Sequence, residues 1–81
     1  MEREDMKRPF CKVRIMAESP SASEFGREMS GRVLGREQIE PKEGYLKDLY
    51  PNEKRLTVIL VEDSNGGKYH IPEKDIERIV C

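Results

Sequence analysis

Hydrophobic and polar residues alternate with a period of two along several short stretches of this chain, which is the spacing of β-strands with one buried face. In residues 11–16, Cys11, Val13 and Ile15 share one side and Lys12, Arg14 and Met16 the other, so this stretch reads as a half-buried strand. Residues 31–36 form a second, shorter strand whose core residue is Val33. Gly31 and Gly35 punctuate it, and a missing Cβ there permits a bulge or a sharp bend. Residues 56–61 are apolar on both sides: Leu56, Val58 and Leu60 on one, Thr57, Ile59 and Val61 on the other. Such a strand lies centrally in a sheet or curls with it, and Val58 and Leu60 are expected in the core. The glycines Gly66 and Gly67 supply the positive φ of a tight reversal, so residues 56–71 read as a β-hairpin.

The last segment has two readings. Ile76, Ile79 and Val80 fit one face of a helix opened by Pro72, but that helix would span only about nine residues and be marginal alone. A 3₁₀ turn over residues 72–75 followed by a strand over 76–80 is favoured. Two long connections separate the early strands. Residues 17–30, rich in Ser, Pro and Gly, read as a loop anchored by Phe25 and Met29. Residues 37–54 hold about one helical turn around Tyr45, Leu46 and Leu49 before Pro51. Residues 1–9 are polar and read as a mobile tail, leaving residues 10–81 as a single domain.

The fold class is therefore all-β. The order of elements carried by Lys12-Val13-Arg14-Ile15, Gly31-Arg32-Val33, residues 56–61, Tyr69-His70-Ile71-Pro72 and residues 75–79 resembles a five-stranded SH3-like small barrel, with two long loops and a 3₁₀ turn before the last strand. It is similar in layout to the barrels of electron-transport accessory proteins, such as the ferredoxin-thioredoxin reductase variable chain and a small photosystem I subunit, and to KOW-type ribosome and transcription domains. The resemblance implies an accessory or binding role without chemistry in the barrel. It also implies that the first and last strands pair antiparallel, which brings Cys11 and Cys81 within bridging distance. Closing that loop would add about 4 kcal/mol in the chain-entropy model, yet two free thiols are the expectation in a reducing cytosol. The chain departs from signalling SH3 domains in having no Trp and no acidic-aromatic loop for a proline-rich ligand.

Charge narrows the choice of partner. Fifteen basic and sixteen acidic residues give a net of −1, so no global field draws in nucleic acid or an anionic membrane. The distribution is uneven: residues 1–36 net +2 and residues 37–81 net −3. No apolar run reaches the ~20 residues of a membrane helix, and the amino terminus lacks the apolar core of a signal peptide, so a cytoplasmic protein is expected. Two cysteines without CxxC spacing and a single histidine give no expectation of a metal or cofactor.

No catalytic residue is expected. His70 lacks a nucleophile or a carboxylate partner at any recognisable spacing, residues 66–69 fail the phosphate-loop register, and Glu62 and Asp63 read as solubilising residues beside a turn. The remaining candidates are binding residues. Phe25, Tyr45 and Tyr50 sit in the long connections, where flat amphipathic rings present themselves to a protein partner. Lys12, Arg14, Arg32 and Arg36 are expected to form a basic stripe, the alternative being a nucleic-acid interface. The expected function is a non-catalytic interaction or accessory module, monomeric or weakly oligomeric.

Overall fold

A computed structural model describes residues 9–81; the tail expected over residues 1–9 lies, apart from Pro9, outside the described residues. The elements run β1 (Phe10–Ile15), α1 (Pro20–Phe25), β2 (Glu28–Ile39), α2 (Tyr45–Leu49), β3 (Leu56–Glu62), β4 (Lys68–Pro72), a 3₁₀ turn (Glu73–Asp75) and β5 (Ile76–Val80). The strands form one antiparallel sheet in the order β4-β3-β2-β1-β5. β4 and β5 are its edges, and no strand pairing joins them, so the sheet expected to close on itself is open. The carboxy-terminal segment is a strand after a 3₁₀ turn, which decides between the two readings of that segment.

β2 organises the sheet because it is twelve residues long and serves two partners in turn. Its first part pairs with β1 (Cys11 with Gly31, Val13 with Met29) and its second with β3 (Glu37 with Val58, Ile39 with Leu56). At the changeover the chains approach closely: a Cβ on Gly31 would stand 2.6 Å from both the Glu62 carbonyl oxygen and Val61 Cγ1. Only glycine fits there. Three residues further on, the register with β3 shifts between Val33 and Gly35, leaving Leu34 as the extra residue of a bulge.

The segment expected to be a loop over residues 17–30 is more ordered than its composition suggests. Ser19 caps α1 by accepting from the Ala22 N–H at 3.3 Å, Pro20 occupies the first turn with its φ already helical, and Gly26 at φ +83° ends the helix. β2 then begins at Glu28, earlier than expected. α2 is the turn foreseen around Tyr45, entered through Gly44 at φ +83°. The hairpin between β3 and β4 is a three-residue reversal. Asp63 N–H donates to the Gly67 carbonyl, Gly66 N–H donates to the Asp63 carbonyl, and Gly66 alone takes the positive φ. Asp63 is more than a solubilising residue: its carboxylate accepts from the N–H groups of Asn65 (2.9 Å) and Gly67 (2.8 Å). These bonds, that of Gly67 first, hold its carboxyl below the usual range.

Two apolar clusters fill the fold. One joins Val13, Ile15, Ile59, Val61 and Ile71, with Phe25, Met29, Val33 and Ile76 packed on it; the other joins Leu46, Leu56 and Val58, with Ile39, Tyr45 and Tyr50. β3 contributes to both, so each of its faces is covered, as its pattern implied. Val58 is fully buried, as expected, but Leu60 is only half-buried. Its cross-strand neighbours are Gly35 and His70, and a glycine offers no side chain to cover it. At the far end of the sheet β1 and β5 pair antiparallel, and Cys11 and Cys81 form a disulfide with Cα atoms 4.1 Å apart. The proximity follows from the strand pairing. The expectation of two free thiols does not hold.

Candidate functional site

The two connections meet. Phe25 from α1 packs edge-on against Tyr45 of α2 (centroids 5.3 Å) and against Tyr69 of β4 (6.0 Å). Tyr50 turns the other way: its hydroxyl donates to the buried Asp75 carboxylate, which also accepts from the Ser21 hydroxyl of α1. One carboxylate therefore ties α1, α2 and the 3₁₀ turn together. Lys74 stands 4.4 Å over the Tyr50 ring and pairs with Glu53. Burial first, and then the bond to Asp75, push the Tyr50 phenol far above its ordinary value. The three rings proposed from the sequence are thus assembled at one end of the sheet. Each is half-buried, with one side on the core clusters.

Tyr45 has a further task. Its hydroxyl donates to the His70 carbonyl and accepts from the His70 N–H, both at 2.9 Å, so the outward backbone groups of an edge strand are satisfied by one side chain. Burial raises the Tyr45 phenol above its usual value, opposed by the backbone bond to His70 and reinforced by the nearby charge of Glu24. This contact forms one wall of an open groove of about 300 Å³ lined by Ile39, Glu40, Pro41, Lys42, Glu43, Gly44, Tyr45, Leu46 and His70. Leu46 and Pro41 are buried at its base, and the charged residues stand at its rim.

His70 does have a carboxylate partner, contrary to the reading from sequence. Its Nε2 lies 3.0 Å from Glu37 Oε1, because β3 sits between β2 and β4 and sets Glu37 opposite Val58 and His70 opposite Leu60 on one face. The two are 33 positions apart, so only the register brings them together. There is no hydroxyl or thiol among the side chains lining the groove other than the Tyr45 phenol, which is already committed to β4. Among the described residues, no group of three or more His, Cys, Asp or Glu side chains is arranged to hold a metal ion.

The basic stripe is divided. Lys12, Arg14 and Arg32 lie on the outward side of β1 and β2, opposite the buried Cys11, Val13 and Ile15, and Arg78 of β5 joins them across from Arg14. Arg32 stacks over Phe10 at 4.8 Å, and its Nε is buried without a hydrogen-bond partner among the described residues. Arg36 stands apart, because the bulge at Leu34 reverses the alternation: Arg36 faces the Ile59 side of the sheet, whereas Arg32 is opposite Glu62. The Arg36 guanidinium holds Glu73 through two nitrogens, which raises it above its ordinary value. Arg14 shares Glu77 with Arg27, each at 3.9 Å.

No helix among the described residues is long and apolar enough to cross a membrane. Comparison of the chain with protein-family models, with curated proteins and with solved structures finds no match.

Proposed function

We propose that this chain is a non-catalytic interaction module, built on the plan of an SH3-like small barrel, that docks a protein partner on the surface formed by its two long connections. The strand order β4-β3-β2-β1-β5 supports that plan, with the 3₁₀ turn leading into β5. The observation that carries the docking surface is the Tyr45 contact to β4, which holds a groove with an apolar base beside the joined α1 and α2. A preformed depression of this kind loses little conformational entropy when a partner enters it. Phe25 and Tyr50 serve the surface by fixing its walls, and Tyr45 by contributing its exposed ring edge. The module acts as a monomer. The Cys11–Cys81 bridge supports an oxidising setting rather than the reducing cytoplasm expected from the amino terminus.

A second reading has its own observation. Lys12, Arg14, Arg32 and Arg78 share an outward face with the exposed ring of Phe10, a combination suited to the phosphates and bases of a single-stranded nucleic acid. Glu28, opposite Arg14, and Glu62, opposite Arg32, reduce the field of that face and favour the first reading.

One experiment separates them. The intact chain, a Lys12→Glu/Arg32→Glu variant and a Lys42→Ala/Glu43→Ala variant are immobilised, and retained proteins and nucleic acids are measured between about 50 and 200 mM salt. Protein retention lost only with the second variant supports the groove. Retention of nucleic acid that falls steeply with salt and is lost with the first variant overturns it.

A further inference from the structure

Carboxylates outnumber cations around the groove. Glu40 and Glu43 stand on its rim, and Glu37 lies 3.0 Å from Nε2 of His70, itself a lining residue. Lys42 is the one cation lining this groove, and it lies 3.9 Å from Glu40. Two carboxylates and one lysine thus stand around a base of Leu46, Pro41, Ile39 and the Tyr45 ring. The neighbouring depression reverses the sign: Lys42, Lys47, Lys54 and Arg55 line it against Glu40 and Glu53. A cation that suits the first is repelled by the second.

Deepening the docking proposal above, on which it rests, we infer that the groove between α2 and β4 takes a short linear peptide segment that carries an apolar side chain flanked by Lys or Arg. The apolar residue enters over Leu46 and Tyr45, where burying it removes its surface from water. The flanking cations meet Glu40 and Glu43 at the rim, where charge contributes mainly to orientation and to the rate of encounter. Length is limited by the second depression, whose lysines and arginine disfavour a continuing basic run. A long polycation is thereby discriminated against in favour of a short basic stretch followed by neutral or acidic residues. Because the Tyr45 hydroxyl already satisfies the His70 backbone, the segment does not add to β4 as a further strand; it is recognised by side chains.

The test is selection of a random linear peptide library displayed on phage against the intact chain, followed by titration of the enriched peptides. Enrichment of Lys or Arg beside an apolar residue is expected, with amide shifts in the nuclear magnetic resonance spectrum at Tyr45, Leu46 and His70. Glu40→Lys/Glu43→Lys, both exposed, is expected to weaken binding about tenfold or more while leaving thermal unfolding unchanged, and Lys12→Glu/Arg32→Glu to leave binding unaltered. Enriched peptides that shift the groove resonances but show no basic bias, or that bind the Lys/Lys variant equally well, overturn this inference and leave the docking surface standing. Peptides whose shifts fall on β1 and β2 overturn both. A library that yields no enriched sequence overturns the linear-peptide inference, and the docking surface is then judged by protein retention alone.

Discussion

The sheet has two edges, and the chain protects them by different means. At β4 the outward N–H and C=O of His70 are occupied by the Tyr45 hydroxyl, supplied by a connection more than twenty residues earlier. At β5 no side chain bonds the outward backbone of residues 77–80 among the described residues, and Ile79 and Val80 are exposed. That strand is instead fastened from behind, by pairing with β1 and by the Cys11–Cys81 bridge. Its charges do the rest. In the two-fold antiparallel register of greatest overlap, Arg78 would face Arg78 of a second copy, and like charges directly opposite oppose pairing. One edge is closed at His70 by a directional bond; the other is held in place from behind, with like charge set against its pairing.

The largest effect should come from breaking both edges together. Val58 is fully buried on the central strand β3, directly opposite Pro72 of β4, so Val58→Asp places an unpaired charge in the second apolar cluster. The cost of several kcal/mol is comparable with the whole stability of a domain this size, and circular dichroism is expected to show a largely unfolded chain. A variant melting at the wild-type temperature would refute the assignment of β3.

Removing the covalent fastening tests β5 alone. Cys11→Ser/Cys81→Ser is expected to lower the unfolding free energy by about 4 kcal/mol in denaturant titrations, since the bridge spans 70 positions. Hydrogen exchange should accelerate in β1 and β5 before β4. A loss below about 1 kcal/mol would mean that strand pairing, not the bridge, holds this edge. Gly31→Ala strikes midway between the edges. Its Cβ would meet the Glu62 carbonyl and Val61, so a loss of about 1–3 kcal/mol is expected, with both edges loosened alike.

Tyr45→Phe keeps the ring and deletes the guard of β4. A loss of about 1 kcal/mol is expected, with faster exchange at the His70 amide and none of the change in β5. Unchanged exchange at His70 would show that the hydroxyl is dispensable. The smallest effect concerns alkali. The Tyr50 phenol titrates above its ordinary 10.0 in the folded chain, so the folded state retains a proton that the unfolded state releases. Stability is therefore intact below pH 10 and declines as pH rises towards the folded value. Tyr45 and Tyr69 are raised in the same direction, so Tyr50→Phe should flatten the alkaline slope only in part.

What could be read from the sequence was whatever depends on neighbouring residues. The alternation in residues 11–16, the doubly apolar β3 and the glycine turn specify strands and a hairpin by local chemistry, and the structure contains them. Ser19 followed by Pro20 carried a helix-start signal that the surrounding serines obscured. The bulge at Leu34 had no local signature, since it exists only as an offset against β3, and with it went the expectation that Arg32 and Arg36 share a face. The same holds for His70 and Glu37, and for Asp75 with Ser21, each assembled by register or by packing of distant segments. The rings of the candidate site could be named from the sequence. Their division between a wall facing β4 and a tether to Asp75 could not.

The bond between Cys11 and Cys81 turns residues 11–81 into a covalent ring. A ring survives a single cut: a protease nicking the exposed hairpin tip between Ser64 and Asn65 would open it without releasing either piece. Both fragments would migrate as one species on a gel until a reducing agent is added. That hairpin tip can therefore be severed while β3 and β4, on its two sides, stay tethered through the opposite end of the sheet.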